Sequence, residues 1–162
     1  MSGIIAPGAD GYAWSLLDMD IPLLLTLAVK TERPGNQYGL GAKPSSLTAQ
    51  ASEIAEGPID CSGYFRWLIR RSAGIVIPDG SFHQMQWMED TGFKDSSVSS
   101  GMLRDGVVRA AYMRPLGRGG VGHIALVHDG QTIESSGKRG PGRRAWTGEG
   151  WQSRCRLWVL AK

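Results

Sequence analysis

The sequence predicts an α+β fold in which helices come first and an antiparallel β-sheet follows. In the first part of the chain, apolar residues recur at the three- and four-residue spacing of helices. After Gly101 the apolar residues alternate with polar ones, as they do in strands. Helices followed by a run of strands, without βαβ alternation, indicate helices packed on one antiparallel sheet.

The first predicted helix begins after Asp20, whose side chain can cap it, and takes Pro22 in its first turn. Its apolar spacing continues to Ala28. The helix should end before "RPGNQYGLGAKPSS", residues 33–46, because glycine and proline are concentrated in this loop. A short helix is predicted over residues 47–55.

The next predicted helix begins at Cys61 and stops at Gly74, since glycine adopts the positive φ of a helix end without steric cost. Its apolar residues share one helical face: Tyr64, Phe65, Leu68 and Ile69. A further short helix is predicted in "SFHQMQWMEDTG", where Ser81 and Gln84 have the spacing of a capping box.

Later segments predict strands, over residues 106–115, 120–137 and 153–161. Within the second segment, Asp129-Gly130 is a strong signal for a hairpin turn. On the last strand, Cys155 points the same way as Leu157 and Val159. We therefore expect Cys155 to be a buried, inert thiol.

The composition is that of an ordinary globular protein, and we expect one domain over residues 1–162. The chain is 41% hydrophobic and carries a formal net charge of +3. Its most apolar run, residues 21–29, is too short to span a bilayer, so we expect no membrane insertion. Basic residues outnumber acidic ones in residues 101–162, where they either face a polyanion or form a solvated surface. Because no nucleic-acid signature accompanies this charge, we expect no nucleic-acid partner.

Cys61 lies where free backbone N–H groups and the helix dipole would favour a thiolate. A cysteine nucleophile also needs a base, and the base needs a third group to orient it. Of the three histidines, His123 shares a strand face with Ala125 and Val127, as expected of a base packed against a helix. Glu134 follows on the returning strand. By spacing alone, a chance combination of these residue types is an open alternative.

Two motifs in this order, "DCSGYFRWLIRRSAG" and "GHIALVHDGQTIESSG", resemble those of the NlpC-type cell-wall cysteine peptidases. The resemblance covers residues 38–137. It implies a small papain-like α+β domain in which the cysteine helix packs on the antiparallel sheet that carries the histidine. It also implies hydrolysis of peptidoglycan stem peptides, most often at the γ-D-glutamyl–diamino acid bond, with no cofactor and no metal.

The resemblance implies catalytic roles residue by residue. Cys61 becomes the nucleophile and His123 the general base and then acid, while Glu134 would orient the histidine. The third residue of the family is usually His, Asn or Gln, and the hairpin loop here is a residue short. A carboxylate still serves the same purpose, because it holds an imidazole and stabilises its protonated form.

The resemblance also implies a substrate pocket. Asp60 and Ser62 match positions that help to bind the free amino end of the substrate. Tyr38 matches, more loosely, an upstream tyrosine that closes the same pocket. Residues 1–57 would then form a helical part with a substrate loop, and residues 58–162 the catalytic core.

The expected partners follow from this interpretation. They are a peptidoglycan stem peptide and, as a candidate, an immunity or inhibitor protein; we expect a monomer. The first residues lack the pattern of a secretory signal. We therefore expect synthesis in a bacterial cytoplasm and delivery to the cell wall or periplasm, as for an endolysin, a phage-tail hydrolase or a secreted effector.

Alternative functions stay open at this point. The same Cys–His pair could serve an acyltransferase or a deamidase that acts on protein or lipid. A non-enzymatic module could instead use the basic second half as its binding surface. Trp146 and Trp151, near the basic segment "KRGPGRR" of residues 138–144, either line a groove or fold back on the core.

Overall fold

The computed structural model describes residues 3–5, 14–32, 38–137 and 139–162. Part of the predicted Gly/Pro-rich loop, residues 33–37, and Lys138 of the basic segment lie outside the described residues. Within the described ranges, two short antiparallel strands precede the helices: β1 (Gly3–Ile5) and β2 (Leu16–Asp18). The sequence pattern did not indicate these strands.

The helices follow in the predicted order as α1 (Ile21–Thr31), α2 (Ala51–Glu56), α3 (Cys61–Ala73) and α4 (Ser81–Thr91). The predicted cap of α1 is confirmed, because the backbone N–H of Leu23 donates to Asp20 Oδ1 at 3.0 Å. Helix α2 begins at Ala51, later than predicted. The carbonyl of Ala49 instead accepts hydrogen bonds from side chains of α3, Trp67 Nε1 at 3.0 Å and Arg71 Nη1 at 2.8 Å.

Helix α3 ends as predicted at Gly74, which has a left-handed φ of 74°. The capping box predicted for α4 is wrong. Gly80 is the N-cap, and Ser81 is already the first residue of the helix. The Gln84 amide is used elsewhere: buried, it donates to the carbonyls of Ser62 and Pro78, each at 3.0 Å. It therefore ties α4 to the first turn of α3.

The remaining strands are β3 (Asp95–Ser96), β4 (Val108–Met113), β5 (His123–His128), β6 (Gln131–Ser136), β7 (Gly140–Gly142) and β8 (Cys155–Ala161). They form one antiparallel sheet in the order β3-β8-β4-β5-β6-β7. The predicted hairpin joins β5 to β6, with φ of 47° at Asp129 and 77° at Gly130. Positive φ at both positions suits the twist of a two-residue hairpin. The predicted α+β architecture is confirmed.

The sheet is covered by apolar side chains on both faces. Tyr64, Phe65 and Leu68 of α3 belong to one buried cluster with Ile124 and Leu126 of β5. A second buried cluster lies on the opposite face of the sheet and consists of Ala111, Val127, Trp146, Cys155 and Leu157. The cysteine helix therefore packs on the sheet, and Cys155 is buried, both as predicted.

None of the described helices is long and apolar enough to cross a membrane.

Candidate active site

Cys61 is the first residue of α3 and is only 5% exposed. Asp60 caps the helix by accepting the backbone N–H of Gly63 at 2.7 Å. The chain just before the helix is anchored to β6, because Ser135 Oγ donates to the carbonyl of Ile59 at 2.6 Å. These contacts fix the sulfur of Cys61 at the positive end of a helix and against the sheet.

His123, the first residue of β5, lies between the sulfur of Cys61 and the carboxylate of Glu134. Its Nε2 is 2.7 Å from Glu134 Oε1, and the glutamate is 2% exposed. With Glu134 ionised, Nε2–H donates to this oxygen, which leaves Nδ1 for the cysteine. The structure thus brings the three predicted residues into one line of contacts.

The reason for predicting His123 as the base, a strand face packed against the helix, is wrong. Its strand face, shared with Val127, is the face away from α3, and the helix packs on the Ile124 face. Cys61 nevertheless reaches His123 where β5 begins. The pairing of β5 with β6 is confined to the residues near the turn and includes Leu126 with Ile133. Farther from the turn, the backbone N–H of Ile124 is available to the Cys61 sulfur and lowers the pKa of the thiol.

The environment shifts the pKa values of the thiol and the imidazole toward an ion pair. Burial raises the pKa of Cys61, but the hydrogen bond and charge of His123 and the N–H of Ile124 outweigh it, so the pKa lies below its ordinary value. Burial lowers the pKa of His123, and the hydrogen bonds and charges of Cys61 and Glu134 raise it to about 9. A thiolate facing an imidazolium is the state of a nucleophilic cysteine.

Arg144 is a component of the site that the sequence analysis missed as an individual residue. Its Nη2 donates to Glu134 Oε1 at 2.5 Å, and its Nε donates to Oε2 at 3.2 Å. Burial raises the pKa of Glu134, but His123 and Arg144 together lower it to about 2. The glutamate is therefore an anion at neutral pH although it is buried.

Trp151 covers the same group of side chains. Its ring meets the His123 ring edge-on at 5.2 Å between centroids, and the guanidinium of Arg144 lies 5.2 Å from its ring centroid. Trp146 packs behind it and donates its Nε1–H to the carbonyl of Val98 at 2.8 Å. Of the two roles left open for these residues, Trp146 is core, and Trp151 lines the site.

Tyr38 lies at the sulfur of Cys61. The Cys61 thiol and the Cys61 backbone N–H are both near enough to its hydroxyl to shift the pKa of Tyr38. Burial and the negative charges of Cys61 and Asp60 raise the pKa of Tyr38 to about 12, so the phenol keeps its proton.

Asp60 and Ser62 flank Cys61, and both are held by a residue that the sequence analysis did not single out. The ammonium of Lys43 lies 2.9 and 2.7 Å from the two oxygens of Asp60. It also lies 2.8 Å from Ser62 Oγ and 3.2 Å from Asp79 Oδ1. The ammonium group at these two residues is therefore one of the chain itself, and their binding of a substrate amine stays a prediction.

No family model matches the sequence, and no curated protein matches it. Solved structures do match. The chain superposes on the peptidoglycan hydrolase RipB of Mycobacterium tuberculosis with a TM-score of 0.55 and 18% identity, over 88% of this chain and 65% of RipB. The P60 domain of antigen MAP1204 of M. avium subspecies paratuberculosis gives 0.53 and 18%, over 87% of this chain and 93% of that one. The P60 domain of antigen MAP1272c of M. avium paratuberculosis gives 0.52 and 12%, over 88% and 92%.

The chain has an NlpC/p60 fold. On this fold His123 lines a cavity of about 220 Å³ together with Met113, Ser136, Gly137, Arg144 and Trp151. A larger cavity of about 540 Å³ adjoins it, and its lining includes Arg139, Arg143 and Arg144 as well as Glu32 and Glu134. Positive guanidinium groups therefore border the approach to His123.

Within the described ranges, no group of three or more His, Cys, Asp or Glu side chains is placed to hold a metal ion.

Proposed function

We propose that this protein is a cysteine peptidase that hydrolyses the peptide stems of peptidoglycan through Cys61. The observation that carries the proposal is the position of His123, in contact with the Cys61 sulfur and 2.7 Å from the Glu134 carboxylate. This order of nucleophile, base and orienting group is the arrangement of acyl-transfer enzymes. The NlpC/p60 fold, shared with a peptidoglycan hydrolase, supports the substrate class.

The reaction begins with the thiolate of Cys61 attacking the carbonyl carbon of a peptide bond in the stem. The electron pair of the C=O bond moves to oxygen and gives a tetrahedral oxyanion. As the C–N bond breaks, the imidazolium of His123 gives its proton to the leaving nitrogen. The products of this half are a thioester on Cys61, a free amine and a neutral imidazole.

The thioester is then hydrolysed, and in this half of the reaction His123 acts first as a base. His123 takes a proton from water, the resulting hydroxide attacks the thioester carbon, and the C–S bond breaks. The stem leaves as a carboxylic acid, and the thiolate–imidazolium pair is restored. Throughout, the anionic Glu134 keeps Nε2 protonated and directs Nδ1 toward the sulfur and the substrate.

The oxyanion needs hydrogen-bond donors that already point at it. The backbone N–H of Cys61 is one, because the first N–H groups of a helix have no partner within the helix. The Tyr38 hydroxyl lies near this N–H, which acts to lower the pKa of Tyr38. In the reaction the substrate oxygen accepts this N–H, and the Tyr38 O–H, rotated toward it, acts as the second donor.

The charge around the cavity fits an acidic peptide. A γ-linked D-glutamyl residue keeps a free α-carboxylate beside the scissile bond, and Arg144, 39% exposed at its side chain, borders the cavity next to His123. Arg144 already binds Glu134 through Nε and Nη2, but a guanidinium has five N–H donors, so others are left for the substrate carboxylate. We therefore propose the γ-D-glutamyl–diamino acid bond as the bond cleaved, with the enzyme acting at the cell wall or periplasm.

The direct test is digestion of purified peptidoglycan and of defined muropeptides, with the released fragments identified by mass spectrometry. We expect cleavage at one stem bond by the natural protein and none by Cys61→Ala. Circular dichroism should show that the variant is folded. Binding to peptidoglycan without cleavage by either protein would replace the proposal with a binding module. Transfer of an acyl group to an added amine, without hydrolysis, would replace it with an acyltransferase.

A further inference from the structure

An ammonium group of the chain itself lies on the residues that flank the nucleophile. Lys43 Nζ contacts both carboxylate oxygens of Asp60, Ser62 Oγ and Asp79 Oδ1, all at 2.7 to 3.2 Å. An ammonium has three N–H donors, and here acceptors from three side chains surround it. Asp60 and Ser62 are adjacent in the chain to Cys61, and the charge of Asp60 is near enough to act on the Cys61 thiol, so the cluster lies beside the nucleophile.

The segment that carries Lys43 is fixed against the start of α3. The backbone N–H of Asp60 donates to the carbonyl of Ala42 at 2.9 Å, and the N–H of Gly41 donates to Asp60 Oδ2 at 3.1 Å. Gly63 leaves room for the lysine stem, because a Cβ at this position would lie 3.2 Å from Lys43 Cδ. The backbone is thus already ordered where the ammonium must be placed, which reduces the entropy cost of the contact.

The ammonium is charged under the conditions in which the enzyme would act. Partial burial lowers the pKa of Lys43, but the carboxylates of Asp60 and Asp79 outweigh the burial and hold the pKa above its ordinary value. The lysine side chain is 34% exposed, whereas that of Asp60 is only 6% exposed. A ligand that needs the Asp60 carboxylate must therefore displace Lys43 from it.

We propose that Lys43 is a specificity-determining residue that fills an ammonium subsite beside Cys61 and thereby disfavours substrates with a free amino group at that subsite. This proposal rests on the proposed function, since it concerns which stems Cys61 attacks. A tethered group competes at an effective concentration on the order of millimolar or above. A substrate amine at lower concentration loses this competition, and one forced into the site meets a like charge. The natural substrate then has an acylated amine or no amine there.

The test compares two peptides that differ only in a free or an acetylated amino terminus on the acyl side of the cleaved bond. Lys43→Met removes the ammonium and keeps the length of the stem. We expect the ratio of kcat/KM for the free peptide to that for the acetylated peptide to rise at least tenfold over the natural protein. Lys43→Arg, which keeps a cation, and Lys94→Met, at an exposed position, should leave the ratio unchanged.

An effect of Lys43 on the reactivity of Cys61 itself changes kcat/KM for both peptides by the same factor. The ratio of the two values is therefore insensitive to such an effect. A tenfold preference of the natural protein for the free peptide would overturn the proposal even if Lys43→Met did not fold. An unchanged ratio in folded Lys43→Met would overturn it as well.

A binding measurement separates this proposal from the proposed function. In a Cys61→Ala background, which cannot form a thioester, n-butylammonium chloride should raise the melting temperature of the Lys43→Met variant more than sodium chloride at equal ionic strength. The same salt should have no such effect when Lys43 is present. Stabilisation of both proteins to the same extent would show that the subsite is not the one that Lys43 fills.

Discussion

Cys61 and Cys155 are equally inaccessible, each 5% exposed, yet the pKa values of their thiols are shifted in opposite directions. Burial raises the pKa of Cys155 to about 12. Burial acts on Cys61 in the same sense, but His123 and the N–H of Ile124 reverse it. Since the exposure of the two thiols is the same, any difference in their reactivity reports the environment of the sulfur.

Alkylation should therefore be selective for Cys61. Because the thiolate is the nucleophile, we expect iodoacetamide at mildly acidic pH to modify Cys61 well before Cys155, as mapped by peptide mass. His123→Ala should remove most of this selectivity while the protein stays folded. Equal labelling of the two cysteines in the natural protein, or a disulfide between them in active protein, would contradict the assignment of Cys61 as the nucleophile.

Gly101 lies against the indole ring of Trp146, and the packing of the second apolar cluster should require a glycine at this position. A Cβ at Gly101 would overlap the indole ring of Trp146, whose Nε1–H is bound to the carbonyl of Val98. We expect Gly101→Ala to lower the free energy of unfolding by about 1–3 kcal/mol, as overpacking does. Gly57→Ala is the matched control, because its Cβ would lie 3.6 Å from the nearest atom, in ordinary contact. Equal denaturation midpoints for the two variants would show that Trp146 moves aside at little cost.

The sequence predicts the start of α3 and the β5–β6 hairpin because both depend on local chemistry. Asp60 directly precedes the helix and caps it, and Asp129-Gly130 adopts the two positive φ values of its turn. The hairpin brings the strand of His123 beside the strand of Glu134, so the contact between these two residues was within reach of sequence reasoning. To predict this contact, it is enough to recognise the hairpin turn and the two-residue period at which strand side chains share a face.

Contacts between distant segments lay beyond that reasoning. Arg144 reaches Glu134 after β7, whose sequence Gly-Pro-Gly reads as a turn but forms the edge strand where proline is tolerated. Lys43 reaches Asp60 from a loop without periodicity. Gln84 had the spacing of a capping box, yet its amide satisfies buried carbonyls. In each case tertiary contacts decide what the local pattern leaves undetermined.

Glu134 should support turnover through both its hydrogen bond and its charge. Glu134→Gln can still accept the Nε2–H of His123, so we expect partial activity with a loss in kcat of about tenfold. Glu134→Ala provides neither and should lose on the order of 10²-fold or more. Circular dichroism and the melting temperature should establish that both variants are folded, with the exposed Glu56→Gln as a control. Natural activity in Glu134→Ala would leave Cys61 and His123 as a dyad.

The pH dependence of kcat/KM should distinguish the two charged neighbours of His123, because they act in opposite directions. The active thiolate–imidazolium pair is lost as the pH rises through the upper pKa of the pair, and the pKa of His123 is raised to about 9. Removing the negative charge in Glu134→Gln should lower this alkaline limb by about one unit. Arg144→Gln removes a positive charge that partly neutralises Glu134. The carboxylate then stabilises the imidazolium more strongly, so the same limb should move to higher pH. Arg156→Gln, at an exposed arginine paired with Glu89 and Asp95, should leave the limb in place. An unchanged limb in Arg144→Gln would mean that Arg144 only packs against Trp151 and does not act on the imidazole through Glu134.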